Sequence, residues 1–440
     1  MQPAASTPAS QPSANQQSPK QVIVVGAGPV GLMTALKLGT AGIAVQVIEK
    51  NAELSRAPRA VGYHGAALAA LKRTPVYKEA AKMGFSGNGI CWRKPLVEDG
   101  EGGMKMGDIV AALPFASNNE TRDDHGNGVL YLPQSQLTQL LYNAALQTGL
   151  VKVHFNLELC EIHESEDSVT AVARNLGGEL EKCQGVFLVA ADGGKAASRK
   201  ILNIRFKGHS WPERLIAVDA LLEDKYLDSI LPTSMVIHPV HFGLVTPLEP
   251  VQPGKKTLYR CTIAVDPNDE RTDAELVSES NLMTFMDIIA PGPRPLDAKI
   301  LNSSAYRTHQ LCASTMRKGR CILAGDAAHL NNPFGALGLT TGLLDADAAA
   351  DALDLIINEK KPMDLLDLYS DERRRAFQTF VDPLSTQNKL RCASDPDTVG
   401  NDWFLRGLVN KTPEILESFA RPFFEIWPTD MRKLAASRGF

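Results

Sequence analysis

The sequence predicts an α/β fold: a Rossmann-like body interrupted by an inserted, mainly antiparallel β-sheet and closed by a helical C-terminal segment. Three observations carry that expectation. A glycine turn, Gly26-x-Gly28-x-x-Gly31, stands between a short apolar strand and a helical pattern. Two further buried strands, Gly185 to Ala190 and Arg320 to Ala324, each run into a loop containing glycine and aspartate. Between them, from about Phe206 to Thr308, alternating strands replace the strand-helix units.

The bulk numbers fit such a body. The chain has 440 residues and 44% apolar content, enough for two or three domains with a substantial core. A net charge of -4 supplies no global positive field for phosphate backbones, so nucleic acid is not expected as a partner. The seven cysteines contain no CxxC pair and suit a reducing, cytoplasmic location. Residues 1–19 are rich in Gln, Pro, Ser and Ala without an apolar core, which reads as a disordered leader and not as a secretory signal. The most apolar stretch, Val22 to Ile48, is broken by five glycines and Lys37, so no membrane span is expected.

The elements follow in order. Gln21 to Val25 reads as a buried parallel strand, Leu32, Leu36 and Gly39 recur at helical spacing, and Ala44 to Ile48 is a second strand. Ala66 to Met83 is helical but broken at Pro75, and Gly84 to Gly128 reads as loops and edge strands. A helix is expected from Ser135 to Gln147, with strands at Lys152 to Phe155 and Ser168 to Ala173. In the inserted region the strands are Leu215 to Leu221, Met235 to His238, Phe242 to Pro247 and Leu258 to Val265, with one helix from about Asp273 to Ile289. Leu339 to Ile357 forms a long alanine-rich helix with one apolar stripe. A further helix runs from Met363 to about Phe380, carrying Arg373, Arg374 and Arg375 on a solvated face, and an aromatic tail packs across the body.

The glycine turn has a physical reading residue by residue. Gly26 permits the tight turn, Gly28 lets backbone approach a pyrophosphate, and Gly31 lets the helix lie close to the sheet. The helix start offers free N–H groups to an anion. Glu49 closes the second strand, where a carboxylate accepts from an adenosine ribose. These features bind a dinucleotide without telling FAD from NAD, and a merely tight strand-helix turn is the structural alternative.

Two later motifs separate the possibilities. Ala191-Asp192-Gly193-Gly194-Lys195, with Arg199 beyond, follows one buried strand. Gly325-Asp326-Ala327-Ala328-His329 follows another and leads through Pro333, Gly335 and Gly338 to Gly342 and Asp345. Together with the glycine turn, this set resembles the class A, single-component flavoprotein aromatic hydroxylases, the group of para-hydroxybenzoate, salicylate and phenol hydroxylases. The resemblance spans about Gln21 to Phe380. It implies that Asp192 and Gly193 touch the pyrophosphate regions of FAD and NAD(P)H, and that Gly325 and Asp326 hold the ribityl chain. It further implies that Pro333, Gly338 and Leu339 lie against the isoalloxazine, Arg59 reaches the FAD phosphates and ribose, and Gln134 bonds the ribityl chain. His329 is expected to orient neighbours and not to act as a base.

The resemblance implies a domain plan as well. The FAD-binding domain comprises 20–95, 130–205 and 309–380; the substrate domain comprises 96–129 and 206–308; and 381–440 is a helical C-terminal segment. Some family features are absent. Gly65-Ala66 stands where Pro-Arg is frequent, Ala196 replaces a serine, Asn332 a proline, and Leu337 and Thr340 a glutamine and an asparagine.

The implied chemistry is NAD(P)H-driven monooxygenation. Hydride reduces FAD, O2 adds at the flavin C4a, and the resulting hydroperoxide delivers one oxygen atom to a phenolic or other electron-rich, hydrophobic substrate. A pocket group should relay the phenol proton; His241, Arg307 and Tyr306 are the candidates. His238 and His241 should face opposite sides of a regular strand, and Cys91, Trp92 and Phe115 are candidate pocket or core residues. Epoxidising, dearomatising or decarboxylating flavin chemistry and a non-catalytic flavin-binding scaffold are the alternatives. No metal-binding pattern is present, and the protein is expected to be a monomer or homodimer.

Overall fold

The computed structural model describes residues 21–57, 59–87, 89–114, 128–223, 233–252 and 254–440. The expected leader at 1–19, Pro58 and Phe115 lie outside these residues.

The body is a six-stranded sheet in the order Val151–His154, Ala44–Ile48, Gln21–Val25, Phe187–Ala190, Cys321–Leu323 and Arg317–Lys318. All pair in parallel except the last. The central runs are apolar because helices cover the sheet's faces. Val25 aligns with Ile48 and Ala190, and Ala190 with Leu323. The loops beginning at Gly26, Glu49, Ala191 and Ala324 therefore leave from one edge, the carboxyl end of the strands, where open α/β sheets bind ligands. The helix Leu337–Ile357 is buried nearly all round and not along one stripe, because its alanines let other elements approach from several sides.

The second sheet has eight strands: His329–Leu330, Lys299–Ala313, Phe206–Glu223, Lys256–Ala264, Gly243–Pro247, Thr233–Val236, Gly89–Arg93 and Ile109–Pro114. Its pairings are antiparallel except Thr233–Val236 with Gly89–Arg93. The first strand belongs to the Gly325-Asp326 motif, so this sheet is hydrogen-bonded directly to the α/β body. Gly89–Arg93 lies inside the sheet and not on an edge, which moves it across the domain boundary expected at 95. Lys299–Ala313 runs through the boundary expected at 308.

Side chains alternate across this sheet. On one face Ile216, Val218, Val245, Cys261 and Ile263 pack against the helix Glu279–Ile289. On the other, Trp92, Ala111, Leu215, Met235 and Ala264 share a core with Phe242, Phe334, Phe404 and Leu405. The helix expected from Asp273 is two: Thr272 and Glu275 form a capping box on Asp273–Leu276, and Glu279–Ile289 starts anew after Ser278. Two strands not expected, Glu158–Glu164 and Leu180–Gly185, flank Val169–Arg174 in a small antiparallel sheet.

The C-terminal helices differ most from expectation. Leu365–Ala376 does not stop near Phe380 but continues through a π-helical stretch, Phe377–Val381, into Asp382–Cys392. Pro383 is tolerated because it sits in the first turn of that last helix. The boundary expected at 380 thus falls inside a continuous helical rod. Trp427 is fully buried, packed against His64 and the face of Gly65. Among the described residues no helix is long and apolar enough to cross a membrane.

Candidate active site

The glycines of the first motif divide by what surrounds them. A Cβ on Gly31 would overlap the Gly26 carbonyl oxygen, and one on Gly26 would overlap that of Ala191. Gly26 also has a φ of 101°, which favours glycine. A Cβ on Gly28, by contrast, meets nothing within 4 Å, and the same holds for Gly193. Gly26 and Gly31 serve packing, whereas Gly28 and Gly193 face open space of the kind a pyrophosphate needs. Glu49 sits at the next strand end; its Oε2 accepts from Ala27 N at 2.9 Å and its Oε1 from Asn51 N at 2.9 Å.

Long-range contacts join the three motifs. Val30, in the helix after the glycine turn, is wedged against Gly325 and Gly342, where any Cβ would crowd it. Arg199 donates to Gly194 O at 2.9 Å and to Ala327 O at 2.8 Å, tying the second motif to the third while its guanidinium lies 3.7 Å from the Phe206 ring centre. Asp192 is engaged locally: its carboxylate accepts from the Ser198 N–H and hydroxyl and so caps the helix Ala197–Ile201. That duty leaves the Gly193 backbone as the part of this motif facing open space.

A buried ionic cluster anchors the third motif. Asp345 accepts from Gly325 N at 2.9 Å, from His329 Nε2 at 2.7 Å and from Arg373 Nε at 2.6 Å. Burial pushes its carboxyl up, but the charges and hydrogen bonds of His329 and Arg373 outweigh that and hold it below the usual range. Arg373 is therefore not on a solvated face; it is fully buried and also donates to Trp427 O at 2.7 Å. His329 is buried, stacked on Phe377 at 4.8 Å, and its contacts suit an orienting residue.

Asp326, on the Gly325–Ala327 turn, is exposed. Burial by surrounding protein raises its carboxyl above the usual range, with His329 and Arg59 pulling the other way. Arg59 is exposed and Gln134 partly so, and neither side chain has a hydrogen-bond or ion-pair partner among the described residues. They stand close because Gln134 N donates to Ala60 O at 3.0 Å. Polar groups held ready without partners are what a bound dinucleotide would satisfy.

The loop after His329 prepares a flat site. Pro333 and Gly335 lead to Ala336 in the left-handed region, φ 54°, and the helix starts at Leu337. Gly338 and Leu339 fall in its first turn, whose amides have no intrahelical acceptor. A Cβ on Gly338 would meet only Asn331 Oδ1, at 3.5 Å, and that oxygen is itself buried without a partner among the described residues. First-turn amides on partly exposed residues, the space beside Gly338 and the unpartnered Asn331 oxygen fit the polar edge of a flavin ring. His64, which sequence reasoning did not select, donates from Nε2 to Gly335 O at 3.0 Å.

The three proton-relay candidates fall on two faces of the second sheet. Tyr306 pairs with Leu215 and shares the face of the Trp92 and Phe334 core. Burial pushes its hydroxyl up to about 12, against the pull of Arg260 and Arg59. Arg307, next in the strand, turns to the other face; it is exposed and aligned with Arg214, which binds Asp273 of the helical cap. His241 lies on that side as well: its Nδ1 donates to Ala264 O at 3.0 Å and its ring packs on Phe285, on the helix-covered face. The chain turns at 238–241, so the His238 and His241 rings lie 5.5 Å apart and not on opposite faces.

Trp92 lies on the Tyr306 face, but Cys91 points away toward Ser234. Sequence reasoning also missed the pair Asp219 and Arg260, aligned across neighbouring strands and two positions apart from Ala217 on the Leu215 face. Arg260 Nε lies 2.7 Å from Asp219 Oδ1, and a second arm reaches the Arg59 carbonyl. An arginine amid the apolar run Leu258 to Val265 was the available signal.

Known proteins resemble this chain in sequence and in overall fold. A family model described as an FAD binding domain matches residues 20–383. A para-nitrophenol 4-monooxygenase from Pseudomonas sp. (strain WBC-3) is 32% identical over 367 residues, 83% of this chain and 86% of that one. The 6-hydroxy-3-succinoylpyridine 3-monooxygenase HspB of Pseudomonas putida (strain DSM 28022 / S16) is 31% identical, over 91% of this chain and 95% of its own. The crystal structure of p-nitrophenol 4-monooxygenase PnpA from Pseudomonas putida DLL-E4 superposes with a TM-score of 0.75 at 28% identity, covering 96% of this chain and 98% of that one.

Proposed function

The chain belongs to the FAD binding domain family and is an FAD-dependent monooxygenase of phenolic or other aromatic substrates, and from that premise we propose that NAD(P)H is its electron donor and Tyr306 its proton-handling residue. The flavin, when bound, supplies the electron transfer and oxygen activation. The chain's own residues bind, orient and exclude water. Gly28, Glu49, Arg59, Gln134, Asp192, Gly193 and Asp326 would hold the dinucleotide, and Pro333, Gly338 and Leu339 would lie against its ring.

One observation carries this reading: Arg260, paired with Asp219 on the sheet face that also bears Leu215 and Tyr306, reaches the Arg59 carbonyl, so the Arg59 segment adjoins the face that carries Tyr306. Tyr306 stays a neutral hydroxyl at neutral pH and can donate to a phenolate oxygen or accept from a phenol. Arg260 and Arg59 favour the anionic oxygen, which makes the ring a better nucleophile. Trp92, Met235, Phe242 and Phe334 supply an apolar wall that keeps water away. A small phenol bearing one ionisable hydroxyl is the proposed substrate class, in line with the 32% identity to a para-nitrophenol 4-monooxygenase. The unpaired state of all seven cysteines supports a cytoplasmic enzyme, acting as a monomer or homodimer.

The test is Tyr306→Phe in FAD-loaded protein. Substrate-dependent NAD(P)H oxidation, corrected for hydrogen peroxide formed, should lose on the order of 10²-fold in kcat/KM. FAD content should stay unchanged. Equal kcat/KM for mutant and parent removes Tyr306 from the mechanism, and failure of both NADH and NADPH to bleach the flavin anaerobically with a phenol present removes the donor assignment.

A further inference from the structure

Gln310 lies near the end of the strand that carries Tyr306, on the same face by its even spacing. Its side chain is buried, and both ends of its amide are used. Oε1 accepts from Asn332 N at 2.7 Å and from Asn332 Nδ2 at 3.1 Å. Nε2 donates to Asp382 Oδ1 at 2.6 Å and reaches Ser385 Oγ at 3.1 Å and Thr386 Oγ1 at 3.2 Å.

Asn332 is equally saturated. Its Nδ2 also donates to Ser385 O at 3.0 Å, and its Oδ1 accepts from Phe334 N at 3.0 Å. Phe334 stands 5.4 Å from Phe242 in the buried apolar core on the Tyr306 face. The start of the loop is thus bonded at once to the Tyr306 strand, to the helix Asp382–Cys392 and to its own next turn. A proline at 332 would lack the N–H that makes the shortest bond to Gln310.

We infer that Gln310 and Asn332 form an amide clamp that sets the distance between the ring loop and Tyr306, and so governs whether activated oxygen reaches substrate or is lost as hydrogen peroxide. Both are positioning residues; neither touches the reacting atoms. The clamp acts because a buried amide pair with every donor and acceptor matched has one low-energy arrangement, and slippage would strand polar atoms in an apolar core. An untethered loop would let the ring and the substrate wall drift by the fraction of an ångström that oxygen transfer does not tolerate.

The inference rests on the ring site proposed above, and its test separates the two. Gln310→Met keeps the volume and removes every bond; Asn332→Ala removes the side-chain bonds from the other side and serves if the first variant does not fold. In apoprotein, amide hydrogen exchange of the peptide covering 330–337 should speed up at least tenfold in either variant, while peptides of the six-stranded sheet stay unchanged. In FAD-loaded protein, the hydrogen peroxide share of NAD(P)H consumed should rise severalfold, and FAD affinity from titration of apoprotein should fall by less than tenfold. A folded variant with parental exchange and parental peroxide share overturns the clamp. Apoprotein of the unmutated chain that does not take up FAD overturns the ring-site reading instead.

Discussion

Arg373 Nε lies 2.6 Å from Asp345 Oδ1, and neither side chain touches solvent. The same carboxylate holds Gly325 N and His329, so a residue 28 positions away from the helix Leu337–Ile357 partner steadies the aspartate turn of the third motif. Removing one member of a buried pair strands the other charge.

Arg373→Ala should therefore destabilise the protein by about 3–5 kcal/mol. Arg375→Ala, on an exposed side chain paired with Glu372, should cost less than about 1 kcal/mol. Urea unfolding of both variants checks this, and similar midpoints would refute the assignment of Arg373 to the core.

The two kinds of glycine should separate cleanly. Gly31→Ala forces overlap with the Gly26 carbonyl and should lower apoprotein stability by about 1–3 kcal/mol. Gly28→Ala points a methyl into open space, so stability should hold while FAD affinity drops roughly tenfold, about 1.4 kcal/mol. Thermal unfolding of apoprotein together with FAD titration reads both effects. Unchanged FAD affinity in Gly28→Ala would place the pyrophosphate elsewhere.

Asp326→Ala should reduce FAD retention strongly yet leave the apoprotein as stable as the parent. Its side chain is exposed and has no hydrogen-bond or ion-pair partner among the described residues. A mutant that purifies with full flavin content contradicts the ribityl assignment.

Alkaline pH should unfold the protein through its tyrosines. Burial raises Tyr131 and Tyr306 to about 12. The unfolded chain ionises near about 10. A raised folded value means the proton is held more tightly when folded, so this stability is complete below the unfolded value and is lost as pH rises through the folded one. Denaturation midpoints should decline between about pH 10 and 12, less so in Tyr131→Phe; tyrosinate absorbance rising before unfolding would oppose it.

Legibility tracked the range of the interaction. The turn Gly26 to Gly31, the edge acid Glu49 and the loop Pro333 to Leu339 were visible because backbone sterics demand glycine or proline at definite places. The solvated-face reading of Arg373 failed because helical spacing cannot say which neighbour covers a face. A turn at 238–241 and the strand's alternation place His241 and Arg307 on the helix-covered side, while Tyr306, one residue from Arg307, lies on the face of the Trp92 and Phe334 core, a division that needs the sheet's pairing to be seen. The helix end near Phe380 was misplaced because the chain stays helical through the π-helical stretch Phe377–Val381, which residue spacing at the α-helical period does not announce.

By itself, then, the sequence determined the α/β architecture, the three motifs and the residue types able to hold a flavin, since these follow from local sterics, periodicity and the chemistry of each side chain. Only the tertiary structure decided which polar groups meet: Arg199 with Ala327, Asp345 with Arg373, Gln310 with Asn332, Tyr306 with the field of Arg59 and Arg260. Such pairings depend on how distant segments close onto one another, and closure is driven by burial of apolar surface, which is non-directional and leaves no periodic mark on the residues it brings together.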